Sequence, residues 1–346
     1  MKKVFCVLLG LSLLVCVFSG CAGGGKNGEV NVYNWGEYID ESLLKQFTRE
    51  TGIKVNYKTF DTNESLYSVL KQGGVSYDVI VPSDYMASRM IAEDMLEKIN
   101  FDNVPNLSFI DDGFKNQEYD PTGEYTVPYM WGVTGIIYNT TMISDEISSW
   151  GALFDPKYSG QILMFDNSRD AFGVALKYLG YSMNTTDLDE LEAAYNLLRE
   201  QKPLLQAYVM DQIYDKLESG EAAIGPYYAG DYLSMLENNP DLAFVVPIEG
   251  SNQFVDLFCI PKGAPNKANA EAFINFMCRT DVSMANSEYI GYTSPNHEVE
   301  SLIELDDHER AIMYPSAYEL SRCEFFVNLP QAILDAYDNY WIGLKK

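Results

Sequence analysis

The chain has 346 residues, 47% of them hydrophobic and 21% charged. That is a globular composition, long enough for two domains. Fifty acidic residues against 24 basic ones give a formal net charge of −26. This argues against nucleic acid as a partner, because duplex binding rests on neutralising phosphates with Lys and Arg. Two histidines in the whole chain argue against a multi-histidine metal site.

Lys2 and Lys3 open a targeting segment over residues 1–20. The run "VFCVLLGLSLLVCVF" has the length of a signal peptide and is short for a membrane span. Its end, "FSGC", resembles a bacterial lipobox, in which Cys21 is acylated and becomes the mature N-terminus. Phe18 stands where Leu is more usual, and a plain signal peptide cleaved nearby is the alternative. "CAGGGKNG" over residues 21–28 reads as a flexible tether. Cys259, Cys278 and Cys323 then allow at most one disulfide. Buried free thiols are expected, since cysteine packs as a small hydrophobe.

From Glu29 short apolar runs alternate with helical periods. "NVYNW" reads as a strand, and "DESLLKQFTRETG" as a helix capped by Asp40 and stopped by Gly52. "IKVNYKTF" is a strand, "NESLYSVLKQGG" a helix capped by Asn63, "YDVIVPS" a strand and "DYMASRMIAED" a helix. This β-α series implies a mainly parallel sheet covered by helices. Residues 101–128 read as loop, and "YTVPYMWGVTGIIYN" as one long extended run. A second series follows: "QILMFDNSRDAFGVALKYLG" as strand and helix, "TTDLDELEAAYNLLREQK" and "DQIYDKLESG" as helices, "AAIGPYYAGDY" as a strand turning into a helix, and "LAFVVPIEG" as a strand. "QFVDLFCIPKGA" and the helix "KANAEAFINFMCR" return to the first domain. No glycine-rich nucleotide motif follows a strand.

Ligand crevices of such sheets lie beyond the carboxyl ends of the strands. Four strand ends carry the same mixture there: "NWGEY", "PSDYM", "GPYYAGDY" and "QFVDLF" join aromatic residues to Asp or Glu, and "IGYTSPN" adds Tyr292. A carboxylate beside a ring face suits an organic ammonium ion. The carboxylate supplies a charge-assisted hydrogen bond, and the ring attracts the cation at roughly 0.5–2 kcal/mol per contact. Helix N-caps are the competing reading for Asp84 and Asp231. Adjacent tyrosines in "GPYY" offer an Fe³⁺-binding alternative, and paired carboxylates with ring platforms a sugar-binding or glycoside-hydrolase one.

The segments "YNWGEYI", "LLKQFTRETGIKV", "YDVIVPSDY", "PYMWGVTGIIYN", "NTTDLDELEAAYN", "FINFM" and "IGYTSPN" together resemble the bacterial periplasmic spermidine/putrescine-binding proteins, the substrate-binding components of polyamine ABC importers. The resemblance runs over nearly all of residues 29–346. It implies an α/β, two-lobe periplasmic binding protein fold of type II, each lobe a mixed, mainly parallel sheet flanked by helices, with the ligand in the interlobe cleft. It implies an N-terminal lobe of residues 29–132 and 255–301, a C-terminal lobe of residues 133–254 and 302–346, and hinge crossings near 131–135 and 250–255. It further implies no enzymatic chemistry and no cofactor. The protein would be a monomer, held at the periplasmic or cell surface by its lipid anchor, that hands putrescine or spermidine to the membrane subunits of an importer. Carried over by motif, the ligand contacts are Trp35, Tyr38, Ser83, Tyr85, Asp256 and Tyr292. Asp84 is a further carboxylate partner, and Asp170 stands in place of a longer Glu. The family often has Asp at Asn167 and Trp at Tyr228 and Phe254. A Gln from its C-terminal region has no counterpart near "CEFFVNL". Smaller rings and one charge fewer favour putrescine at least as much as spermidine. Glu37 is expected to face water.

Overall fold

The structure, a computed structural model, describes residues 27–74 and 76–346. The targeting segment and Cys21 lie outside them. In chain order the elements are β1 (Glu29–Trp35), α1 (Glu41–Thr51), β2 (Lys54–Phe60), α2 (Asn63–Gln72), β3 (Val79–Ile80), α3 (Asp84–Ala92), β4 (Leu96–Glu97) and β5 (Thr126–Asn139). There follow β6 (Ile162–Phe165), α4 (Ser168–Tyr178), α5 (Leu188–Gln201), β7 (Leu205–Val209), α6 (Ile213–Glu218), β8 (Ile224–Tyr228), α7 (Ala229–Leu236) and β9 (Leu242–Val245). The chain ends with β10 (Gln253–Pro261), α8 (Lys267–Met277), α9 (Thr280–Ile290), α10 (Val299–Leu302), α11 (Asp307–Met313), α12 (Ala317–Leu320) and α13 (Gln331–Lys345). Short 3₁₀ turns punctuate residues 101–114.

Local chemistry sets the boundaries of α1. Asp40 accepts from the Ser42 N–H at 2.8 Å, and Gly52 ends the helix at φ 74°. Leu43, Leu44 and Phe47 form its buried stripe. The cap of α2 is Thr62 rather than Asn63: Thr62 and Ser65 bond reciprocally at the helix start. That frees the Asn63 amide, which reaches Ser83 on the neighbouring turn.

The sheet runs β2-β1-β3-β10-β5-β8-β6-β7, with β4 beside β10 and β9 beside β5. β1 is parallel to β2 and β3, and β6 is parallel to β7 and β8. β5 and β10 are antiparallel where they join these two groups. β5 serves both groups with one strand. Residues 126–133 pair with β10, and from Thr134 onward it pairs with β8 and β9. The partner changes where Ser251 donates to the Thr134 carbonyl and the Thr134 N–H donates to Asn252.

Two bodies of core flank this change. Trp150, Phe165, Phe172, Leu191, Leu198 and Tyr337 bury one around β6, α4, α5 and α13. Around β1, β3 and β10 apolar residues fill both faces: Val32, Phe47, Phe258 and Phe273 on one side, Leu66, Ile80, Met86 and Met90 on the other. Cys259 and Cys278 are buried within these clusters, Cys323 is half-buried, and all three thiols are free.

A cleft at the carboxyl ends of the strands

One cleft, with about 630 Å³ of atom-free space partly continuous with solvent, lies between the two bodies. Its walls come from the carboxyl ends of six strands and, against the strand-end reading of "QFVDLF", from the first half of β10, which runs antiparallel to β3 and β5. β1 delivers Trp35, Gly36 and Tyr38; β2 delivers Asp61 and Asn63; β3 delivers Ser83, Asp84 and Tyr85. β6 contributes Asn167 and Asp170, β7 contributes Met210 and Asp211, and β8 contributes Tyr227, Tyr228 and Asp231. β10 adds Phe254 and Asp256, with Asn252 just before it, and Tyr292 and Phe326 close the ring. All ten residues expected at the ligand line this cleft: Trp35, Tyr38, Ser83, Asp84, Tyr85, Asp170, Tyr228, Phe254, Asp256 and Tyr292.

Four buried carboxylates define its electrostatics. Asp256 accepts from the Tyr38 hydroxyl at 2.7 Å and from the Ser83 hydroxyl at 2.6 Å. Burial pushes its pKa up to about 6, and those two donors hold it from rising further. Asp170 accepts from the Tyr228 hydroxyl at 3.1 Å, and burial raises it to about 7. Asp231 accepts from the hydroxyls of Tyr214, at 2.6 Å, and Tyr292, and burial lifts it to about 7. Asp84 takes backbone N–H bonds from Tyr85 at 2.6 Å and Val255 at 3.2 Å; burial still raises it to about 8. Desolvation disfavours the charged form in every case. Among the described residues no Lys, Arg or His lines the cleft.

The helix-cap reading of two of these acids is corrected. Asp84 is the first residue of α3, behind Ser83, and it ties that helix to β10. Asp231 is the third residue of α7, behind Tyr228, and its oxygens go to two phenols. Asp84 thus gives one oxygen to the Tyr85 N–H of its own helix and the other to Val255 of β10, and Asp231 gives both of its oxygens to phenols of other elements.

The rings pack edge to face around these acids. Tyr38 and Tyr292 are 4.7 Å apart at 86°, Tyr228 and Phe254 5.4 Å apart at 77°, and Phe254 and Tyr292 6.1 Å apart at 60°. Behind the wall, the buried Arg169 guanidinium sits 4.9 Å from the Tyr85 ring and 4.5 Å from the Phe326 ring. It donates to the Val327 carbonyl and to Asn184. The phenols of "GPYY" diverge, with Tyr227 on Asp211 and Tyr228 on Asp170. Glu37 is exposed at φ 44°.

Asp61, Asn63, Met210, Asp211, Tyr227, Asn252 and Phe326 also line the cleft and were not among the expected contacts. Asp61 and Asp211 follow strand ends as the expected acids do, so the same rule reaches them once β7 is recognised. Among the described residues no group of three or more His, Cys, Asp or Glu could hold a metal ion. No described helix is long and apolar enough to cross a membrane.

The profile of the bacterial extracellular solute-binding protein family matches residues 42–311. The chain is 36% identical to the spermidine/putrescine-binding periplasmic protein of Escherichia coli strain K12 over 348 aligned positions, which is 100% of this chain and 99% of that one. This chain belongs to the bacterial extracellular solute-binding proteins. Solved members agree in fold. A putative spermidine/putrescine ABC transporter structure from Listeria monocytogenes is 39% identical, covers 92% of this chain and 98% of its own, and superposes with a TM-score of 0.88. A Treponema pallidum lipoprotein, 29% identical, covers 91% of this chain and 99% of its own with a TM-score of 0.80. The fold is therefore the two-lobe, type II periplasmic binding protein fold of this family, with the cleft between its lobes.

Proposed function

We propose that this solute-binding protein captures a polyamine, putrescine or spermidine, and delivers it to the membrane subunits of an ABC importer without altering it. One observation carries the reading. Four buried carboxylates, Asp84, Asp170, Asp231 and Asp256, line a ring-walled cleft that has no basic residue among the described residues of its lining. Uncompensated buried charge is costly. An organic dication or trication supplies the missing charge, and its methylenes pack against Trp35, Tyr38, Phe254 and Tyr292. The names of the full-length relatives support the same ligand class. Tyr38, Ser83, Tyr85 and Tyr228 act as ligand contacts that also orient the acids.

The lobes are residues 29–132 with 255–301 and 133–254 with 302–346, and the crossings at Val133–Thr134 and Asn252–Gln253 are the hinge. Ligand that bridges the lobes favours the closed arrangement by its differential affinity for it. Cys21 carries a lipid anchor that holds the monomeric protein at the periplasmic or outer face of a membrane.

Thermal unfolding across a panel of amines, amino acids, sugars and Fe³⁺ tests this reading. A ligand that binds the folded state alone raises its melting temperature. Putrescine or spermidine should give the largest rise. Stabilisation by a sugar or by Fe³⁺, with no response to any amine, overturns it.

A further inference from the structure

We infer that Asn252 is a ligand contact that selects among amines, its side-chain carbonyl accepting an N–H from a nitrogen other than the one held by Asp256. The inference rests on the polyamine reading above.

The two sides of the β10 chain face different cavities. Asn252, Phe254 and Asp256 line the ligand cleft, whereas Gln253 and Val255 line an adjoining groove with Phe114, Tyr119 and Phe325; Asp84, Tyr85 and Phe326 stand between the two. This is the period-two alternation of extended chain. One strand face therefore presents an amide, a ring and a carboxylate in succession. Four residues of extended chain span roughly 13 Å. That is further than one ammonium reaches between two hydrogen-bond partners, so Asn252 and Asp256 serve different nitrogens, with Phe254 against the methylenes between them.

The hydrogen-bond inventory singles out the same side chain. Asn252 is 3% exposed, yet among the described residues no protein atom bonds its Oδ1. Its backbone is held in place: its carbonyl accepts from the Thr134 N–H at 2.9 Å, and its two chain neighbours pair with Glu324, the Gln253 N–H donating to the Glu324 carbonyl and the Ser251 carbonyl accepting from the Glu324 N–H. The side chain is thus held in place and left unpaired. Among the fully buried polar side-chain atoms of the described cleft residues, one other lacks a partner, Trp35 Nε1. That atom is a donor. An ammonium carries donors alone, so it completes Asn252 and not Trp35. A buried acceptor without a partner costs the folded protein stability, and an amine N–H at this point removes that cost. The contact also lies at the crossing where β5 changes partners.

Titration calorimetry and thermal unfolding of the parent protein, Asn252→Leu and Asn252→Asp at pH 8 test the assignment. Leu keeps the volume and removes the acceptor. Its expected signature is about tenfold weaker amine binding with a ligand-free melting temperature equal to or above the parent's. Asn252→Asp keeps an acceptor and adds charge, so it should bind at least as tightly as the parent and favour spermidine over putrescine more than the parent does. Parent-like affinity of Asn252→Leu overturns the inference, whether or not its melting temperature falls. Weakened binding by a folded Asn252→Asp also overturns it. A parent protein that binds no amine instead overturns the functional reading itself, whatever the variants do.

Discussion

Asp256 sits where a carboxylate is expensive to keep charged. It is 4% exposed, two hydroxyls donate to it, and no cationic side chain among the described residues lines its cleft. An ammonium ion there makes a charged hydrogen bond worth roughly 1.5–3 kcal/mol. Asp256→Asn should weaken polyamine binding by that amount in calorimetry, and an unchanged dissociation constant removes Asp256 from the site. Tyr228 offers the reverse experiment. Trp is the strongest of the three rings for a cation, so Tyr228→Trp gains ring attraction but loses the hydroxyl that donates to Asp170 at 3.1 Å. Tyr228 was legible in the sequence because it ends β8 among aromatic and acidic residues, whereas Asp256 is the fourth residue of β10 and was marked by the family motif rather than by a strand end. The roles of Asp84 and Asp231 were harder to read. A helix-start Asp has the same local signature whether it caps its own helix or reaches across to Val255 or Tyr292.

At the scale of elements, α7 shows how tightly the wall is built. A Cβ on Gly230 would overlap the Tyr292 ring. Gly230→Ala therefore has to displace Tyr292, the phenol that donates to Asp231. Overpacking of this kind costs roughly 1–3 kcal/mol. Urea unfolding should show that loss, and titration should show weaker amine binding with it; an unaltered affinity would mean that Tyr292 is not a wall of the site. The helices with strong apolar stripes and the long strands were legible from periodicity. β7 was not, because "LQAYV" is half-buried and broken by Gln206. The helices α10, α11 and α12 span 4, 7 and 4 residues, too short to develop a period.

Over the whole molecule, charge links folding to ligand. Free aspartate titrates near pH 3.9, while the cleft acids are raised to about 6, 7, 7 and 8 in the folded protein. The folded state therefore binds more protons than the unfolded chain between those limits. Its stability from these groups is present below about pH 4 and is lost as pH rises through 6 to 8. The ligand-free protein should accordingly melt at a lower temperature at pH 8 than at pH 5, and polyamine should narrow or reverse the difference. Surface acids such as Glu93, which its partners Lys71, Tyr67 and Arg89 hold down at about 2, act outside this window. The pairing order that sets β10 between β3 and β5 was not legible locally. It follows from two long antiparallel strands whose partners lie over a hundred residues away, as in the pairing of Phe254 with Gly132.

The central claim is that the cleft's buried acids await an organic ammonium ion. Calorimetric titration of the purified protein with putrescine and spermidine, repeated at neutral pH in buffers of different ionisation enthalpy, tests it most directly. The account predicts one-to-one binding with net proton release, because the cation drives acids that are partly protonated in the free protein into their charged form. Absence of binding, or binding with net proton uptake, would contradict it.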